Sequence, residues 1–424
     1  MKLTQKIKHI FSGQFIQNVG WMGGAELFNR IFRLATTVTL ARTFTAEEYG
    51  LTAVIFTVVE FGNVFTLRKG IGAKIIQAKE DELLVISNTS YWLNWMLCLG
   101  IFVLFLALAF PISLFYGSPE LVWPICASSL IYLMMPFYLI NSALIVRENR
   151  LKVTALCQVL QSLVANAITV ILALLGMGVW AVVWPMILTA PIWIIVLWRY
   201  HPWRPPQAFS LHGWKEIVHF GGNLLGVSLL HQVRNNLDYL IIGRGLGMDA
   251  LGLYYFAFNA GFGISRNVIN AFTAALFPYL CEVQHDIKQL KARYFSSLKK
   301  TFSIIGPFIA LQSGLAPFYV PLVFGEKWTE GIPILILICL SVLPFSFSIF
   351  TNDLLNTVGK TKITLYFNLI YTCIFGLTLL ICVRWGILAV AAGVLLSQLV
   401  VLPIFGIWAI AEVFKKDSPS VALK

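Results

Sequence analysis

The sequence predicts an all-α integral membrane protein: about twelve transmembrane helices in two six-helix lobes, related by a parallel internal repeat, with a central cavity between the lobes. Three observations carry this. Of 424 residues, 58% are hydrophobic and only 12% charged, about half the charge of a soluble chain, and the mean hydropathy is +0.80. The apolar residues come in runs of about 20 or more, the length that crosses a bilayer. Phrases from the first half also return, in order, in the second.

The runs place spans at about 15–42, 47–67, 85–115, 121–146, 153–176, 178–199, 215–242, 250–280, 296–323, 331–358, 363–383 and 386–412. Several exceed the minimum length, which fits tilt or projection beyond the bilayer. Every connection is short. Prolines inside the runs, among them Pro136, Pro185, Pro191, Pro278, Pro307, Pro317 and Pro344, predict kinks. Tryptophans such as Trp92, Trp95, Trp123 and Trp198 fall near run ends, as aromatic belts do.

Charge orients the spans. Of 31 Lys and Arg, 23 fall in the termini and in alternate loops on one side, four (Arg42, Arg244, Lys327, Arg384) on the other, and four inside spans. The positive-inside rule then puts both termini in the cytoplasm, and an even span count agrees. The net charge of +12 is thus explained by topology, and nucleic acid is not an expected partner. The segment 1–14 is basic but lacks the apolar core and cleavage site of a signal peptide, so it belongs to the mature chain.

LARTFTAEEYGL at 40–51 aligns with IGRGLGMDALGL at 242–253, matching Arg42 with Arg244 and Gly50 with Gly252. Lys152–Val153 and the phrase GVWAV at 178–182 find counterparts near 360–390. Six spans per copy is even, so both copies enter from the same side, related by an axis along the membrane normal. The expected domains are a basic segment 1–14, an N-terminal lobe 15–200, a cytoplasmic linker 201–214 rich in proline, a C-terminal lobe 215–412 and a cytoplasmic tail 413–424.

The chemistry lies in charges inside spans, which are costly in lipid and ask for a reason. Span 1 carries Glu26, Arg30 and Arg33 at helical spacing; span 7 carries His231, Arg234 and Asp238. Span 8 adds Arg266 with Asn259 and Asn270, span 2 adds Glu60 and Asn63, and span 10 adds Asn352 and Asp353. These residues predict a water-filled, net basic cavity. Arg30, Arg33, Arg234, Arg266 and Asn270 are the candidate substrate contacts, because a guanidinium stays charged and binds phosphate oxygens bidentately. Glu26, Glu60, His231, Asp238 and Asp353 are candidate ion-coupling groups for H⁺ or Na⁺, with no other cofactor expected. The same spacing also fits plain i, i+4 ion pairs, Glu26 with Arg30 and Arg234 with Asp238. That reading does not account for Arg33 or Arg266. His231 also fits a packing histidine, and Glu60 and Asp353 fit residues wetted at a span end.

Other classes find no support. The seven cysteines are scattered, nearly all inside apolar runs, without a CxxC or a neighbouring histidine cluster, and read as small buried hydrophobes rather than zinc ligands or disulfides. No GxxxxGK[ST], HExxH or GxSxG occurs, and no outer loop is large enough for a membrane enzyme's site.

Five phrases resemble a known family. RIFRLA with LARTFTAEEYGL (30–35, 40–51) is similar to the opening of bacterial polysaccharide-biosynthesis transporters, whose first helix ends in an ALARxLxPxEYG type of phrase. DYLIIGRGLGMDALGLY (238–254), LIVRENRLK (144–152), AALFPYL (274–280) and PLVFGEKW (321–328) are further similar phrases in the expected order. The resemblance implies a place in the superfamily of multidrug, oligosaccharide-lipid and polysaccharide exporters. It also implies flipping of a polyprenyl-diphosphate-linked oligosaccharide by alternating access, for export of a surface polysaccharide. The implied partners are that substrate, membrane lipid and other polysaccharide-assembly proteins. No residue-level motif carries over. Some relatives have two further helices that hold the lipid tail; few residues follow span 12 here, and the resemblance leaves a groove of that kind open. Two alternatives remain: a multidrug or cation antiporter of the same superfamily, which calls for a carboxylate-dominated cavity, and a polysaccharide polymerase or ligase, which calls for a large outer loop.

Overall fold

The computed structural model describes residues 14–206, 208–273 and 276–415, and among them the regular structure is helical throughout. The segment 1–14 and the tail 413–424 therefore lie almost wholly outside the described residues. In chain order the helices are α1 (Gln14–Thr43), α2 (Ala46–Phe65), α3 (Arg68–Gln77), α4 (Leu83–Tyr116), α5 (Val122–Ser128), α6 (Leu130–Met134), α7 (Pro136–Arg147), α8 (Leu151–Leu174) and α9 (Trp180–Tyr200). They continue with α10 (Trp214–Leu246), α11 (Met248–Phe258), α12 (Ile264–Thr273), α13 (Leu276–Cys281), α14 (Ile287–Tyr319), α15 (Ile332–Thr357), α16 (Thr361–Cys382) and α17 (Ile387–Phe414).

Every expected span has its helix or run of helices. Among the described residues eight are long and apolar enough to cross a membrane, nine with the broken span that bends 51° at Pro136. The other three are α1, α10 and the run α11–α13, which carry the four intramembrane arginines. All seven cysteines are free.

The helix ends follow local chemistry. Thr45 starts α2 with a capping box, its hydroxyl accepting from the Glu48 amide while the Glu48 carboxylate accepts from the Thr45 amide at 2.8 Å. Short α3, which lies within an expected loop, ends in carbonyls that Arg147 caps: Nη1 donates to Ile75 O (2.9 Å), Ile76 O (3.0 Å) and Ala78 O (2.5 Å), and Nη2 meets Glu80 at 2.7 Å.

The chain packs as two compact units, Met1–Asn236 and Leu237–Lys424. In the first, α8 lies against α1 and α9, and α4 against α5–α7. Tyr132 fills the space over Gly62 and donates its phenol to Val59 O at 2.7 Å. In the second, α15 packs against α14 and α17, and α16 against α17. Phe367 stacks on Phe405 and Phe256 on Trp328.

The repeat is visible in the backbone of each unit. Span 4 ends at Asn149 (φ 57°) and span 10 at Gly359 (φ 74°). Both close in a Schellman cap: the Arg150 and Asn149 amides donate to Ile145 O and Val146 O, and the Lys360 and Gly359 amides to Leu355 O and Asn356 O. Span 3 and span 9 likewise end at glycines of positive φ, Gly117 and Gly325, each followed by a 3₁₀ turn.

The proline-rich linker is held to the first unit. Trp92 Nε1 donates to Ala208 O (2.9 Å), Thr89 Oγ1 to His212 O (2.8 Å), and Asn141 Nδ2 to Trp203 O (3.0 Å). The division between the units falls beyond the linker, inside α10.

Two outcomes are expected. Gly359→Ala places a Cβ in the left-handed region and costs about 1–2 kcal/mol, whereas Gly359→Asn costs much less, since Asn149 already occupies the equivalent position; thermal unfolding in detergent measures both. His201 accepts the Trp203 amide on Nδ1 (3.1 Å) and lies 3.3 Å from Glu148 through Nε2. Burial holds its imidazole below the ordinary value of 6.5, against the pull of Glu148. A base with a lowered folded pKa adds stability above its unfolded pKa and loses it as pH falls through the folded one. Thermal stability should therefore decline below about pH 6.5, and less so in His201→Asn.

Candidate functional site: charged and polar helix faces

In the first unit the charged face of α1 is partly neutralised. Arg30 Nε lies 3.0 Å from Glu26 Oε1, the i, i+4 pair that the spacing allowed. Arg33, one turn on, is exposed and has no carboxylate partner among the described residues. Behind it the helix is polar: Thr36 donates to Asn166 Oδ1 of α8 at 2.6 Å, and Thr37 donates back to Arg33 O at 2.8 Å.

The first two-thirds of α10 belong to this unit, joined to α2 and α3 by an antiparallel seam. Thr57 Oγ1 donates to Asn236 Oδ1 at 3.1 Å, and Gln232 donates to Glu60. Further along, Leu67 packs on Gly221, and a Cβ built on Gly70 would stand 2.5 Å from Gly221 Cα. Lys74 pairs with Glu216 at the end. Two glycines meet here: a Cβ on Gly70 would run into the Gly221 backbone, whereas one on Gly221 would only touch the Leu67 side chain at 3.4 Å. The rest of the seam is polar: Glu60 is exposed, and the Glu216 side chain is 71% exposed. Exposed ion pairs contribute about 0–1 kcal/mol, so the helices are held weakly compared with the aromatic packing of α16 on α17.

His231 and Arg234 lie on the same stretch of α10, His231 exposed with its Nδ1 2.9 Å from Asn235 Nδ2, Arg234 half-buried. Asp238 does not share an exposed face with them. In the second unit it is 5% exposed, and its carboxylate accepts the Tyr254 phenol at 2.9 Å and the Tyr239 amide at 3.0 Å. These partners satisfy a carboxylate that burial would otherwise leave costly.

On the second unit's broken span, Arg266 is half-buried and Asn270 exposed on α12. The preceding π turn, Asn259–Gly263, frees backbone carbonyls that Gln312 of α14 collects: Nε2 donates to Ala260 O and Gly261 O at 3.0 Å each, and Oε1 accepts Ser265 Oγ at 2.6 Å. Asp353 is half-buried on α15.

The structure thus joins Glu26 with Arg30 and Glu60 with Gln232, and gives Asp238 to Tyr254. Sequence reasoning passed over Thr57, Gln232, Asn236, Tyr254 and Gln312. Gln232 and Asn236 at i, i+4 in an apolar run were a readable signal; Tyr254 and Gln312 gave none.

Residues 39–333 match the family described as "Polysaccharide biosynthesis protein". The chain belongs to that family. It is 26% identical to the succinoglycan biosynthesis transport protein ExoT of Rhizobium meliloti (strain 1021) over 77% of this chain, spanning 65% of that protein. It is 27% identical to the lipopolysaccharide biosynthesis protein WzxC of Escherichia coli (strain K12), over 91% of this chain and 78% of that protein. The fold is that of the lipid II flippase MurJ in an inward closed conformation (TM-score 0.71, 14% identity, 93% of this chain and 89% of that one). It is shared with an inward-facing multidrug resistance MATE family transporter of the MOP superfamily (TM-score 0.69, 16% identity, 92% and 96%).

The seam gives a direct test. Cysteines replacing Thr57 and Asn236 should cross-link under mild oxidation, and adding Gly221→Leu should lower the yield several-fold by forcing α3 off α10. An unchanged yield, read on a gel, would count against the close approach.

Proposed function

We propose that this protein moves a polyprenyl-diphosphate-linked oligosaccharide from the cytoplasmic to the outer leaflet of a bacterial inner membrane by alternating access, for export of a surface polysaccharide. The observation that carries the reading is Arg33. An exposed arginine in a spanning helix, one turn from a neutralised Glu26–Arg30 pair and with no carboxylate of its own among the described residues, is a group waiting for an anion. A diphosphate supplies one, and the guanidinium fork binds it bidentately. Arg266 and Asn270 are the corresponding contacts on the second unit, and Arg234 adds a third guanidinium. The family, and relatives whose names attach them to succinoglycan and lipopolysaccharide biosynthesis, support the same substrate class.

In this reading the seam between α2–α3 and α10 parts when the basic side opens, and its polar, glycine-lined contacts keep the cost of parting low. Glu60, Asp238 and Asp353 are the carboxylates to which a coupling H⁺ or Na⁺ would bind. Differential affinity of the ion for the two states is the minimum requirement for coupling. A drug-cation antiporter would need free carboxylates facing its guest; Glu26 is ion-paired and Glu60 is hydrogen-bonded, so that reading is not favoured.

Arg33→Ala and Arg234→Ala should each abolish surface polysaccharide in a knockout strain while the protein stays at wild-type level in the membrane, and Arg33→Lys should restore part of it. Normal polymer in both alanine variants, or drug resistance on overexpression, would overturn the reading.

A further inference from the structure

In the second unit the whole side-chain amide of Gln312 is spent on a break in another helix. The π turn Asn259–Gly263 stands between α11 and α12. A π turn holds one residue more than an α turn, so it leaves a carbonyl without its usual intrahelical amide. Gln312 of α14, 9% exposed, makes up the loss. Its Nε2 donates to Ala260 O and Gly261 O at 3.0 Å each, and its Oε1 accepts Ser265 Oγ at 2.6 Å. Carbonyls only accept, so this set of partners fixes which way the amide points. One side chain thus grips both the middle of the turn and the start of α12. The turn is also close-packed: a Cβ on Gly261 would stand 2.9 Å from Cys339 Sγ and 3.3 Å from Leu335 O of α15.

A residue absorbed in a wide turn leaves the helix beyond it in phase with the helix before it. Wound as a regular α-helix instead, the same chain would turn each later residue by about 100° and advance it by about 1.5 Å relative to α11. Every residue of α12 would then take the place of its successor. Ile269, 0% exposed, would come to the exposed position of Asn270, and buried Ser265 to that of Arg266. Arg266 and Asn270 would both leave theirs. In hydrocarbon no water replaces a lost donor, so without Gln312 regular winding is what satisfies the carbonyls of the turn. We propose that Gln312 is a positioning residue: by holding the π turn open, it keeps Arg266 and Asn270 on the side of α12 that meets the substrate. The inference rests on the reading of those two side chains as substrate contacts. Gln312 acts through them and touches no substrate itself.

The test uses the full chain with its seven cysteines replaced by alanine and one reporter cysteine added, in a knockout strain. In isolated membranes a water-soluble maleimide should label Asn270→Cys and spare Ile269→Cys. Adding Gln312→Met, which keeps the length of the side chain without its amide, should raise labelling of Ile269→Cys several-fold and abolish surface polysaccharide. Deleting Gly263 as well removes the extra residue, so a regular helix again has the original phase. That variant should protect Ile269→Cys and restore polymer, a rescue that a side chain needed only for packing would not show. Unchanged labelling at position 269 in Gln312→Met, or no rescue by the deletion, would overturn the proposal. If Gln312→Met does not reach the membrane, the deletion variant, which has no wide turn to satisfy, decides alone. Failure of the underlying reading looks different: Arg266→Ala would then make normal polymer, while labelling at position 269 would still follow Gln312.

Discussion

In the hydrocarbon of a bilayer no water completes a broken backbone, so every departure from regular helix must bring its own hydrogen-bond partner. This constraint shapes the molecule. Where the eighth span loosens into a π turn, Gln312 supplies the donors for Ala260 and Gly261. Threonines inside spans, among them Thr39, Thr52 and Thr351, turn their hydroxyls back onto the carbonyl four residues earlier. The helices are free to break only at places already provided for.

The same rule sorts the intramembrane charges. Glu26 is held by Arg30, and Asp238 is satisfied by a phenol and an amide. Once those are accounted for, Arg33 stands out as a cation exposed on its helix. The polar seam along α10 is a second exception. It is built of glycine backbone, two side-chain hydrogen bonds and one partly exposed ion pair, Lys74 with Glu216. Weak, polar contacts suit helices that must separate, and the aromatic stacks of the second unit suit helices that need not.

The repeat shows how little sequence a shared architecture requires. Asn149 and Gly359 are chemically different, yet both tolerate the left-handed conformation that a Schellman cap demands. Arg150 and Lys360 follow them in the same hydrogen-bonding role. What recurs is the backbone conformation at each helix end, and several residue types satisfy it.

The amino-acid sequence by itself determined the class, the twelve spans and the two copies, because apolar length and loop charge act locally and need no knowledge of neighbours. It also named the charged faces, since a charge in an apolar run is conspicuous wherever it points. Which of those charges remain available was decided by tertiary structure. Asp238 and Tyr254 are 16 residues apart on separate helices, and Gln232 and Glu60 are 172 apart; no periodicity links such positions. The approach of Gly70 to Gly221, 151 positions on, is likewise set by how two backbones meet in space. Span and charge are properties of a segment, whereas availability belongs to the packed fold.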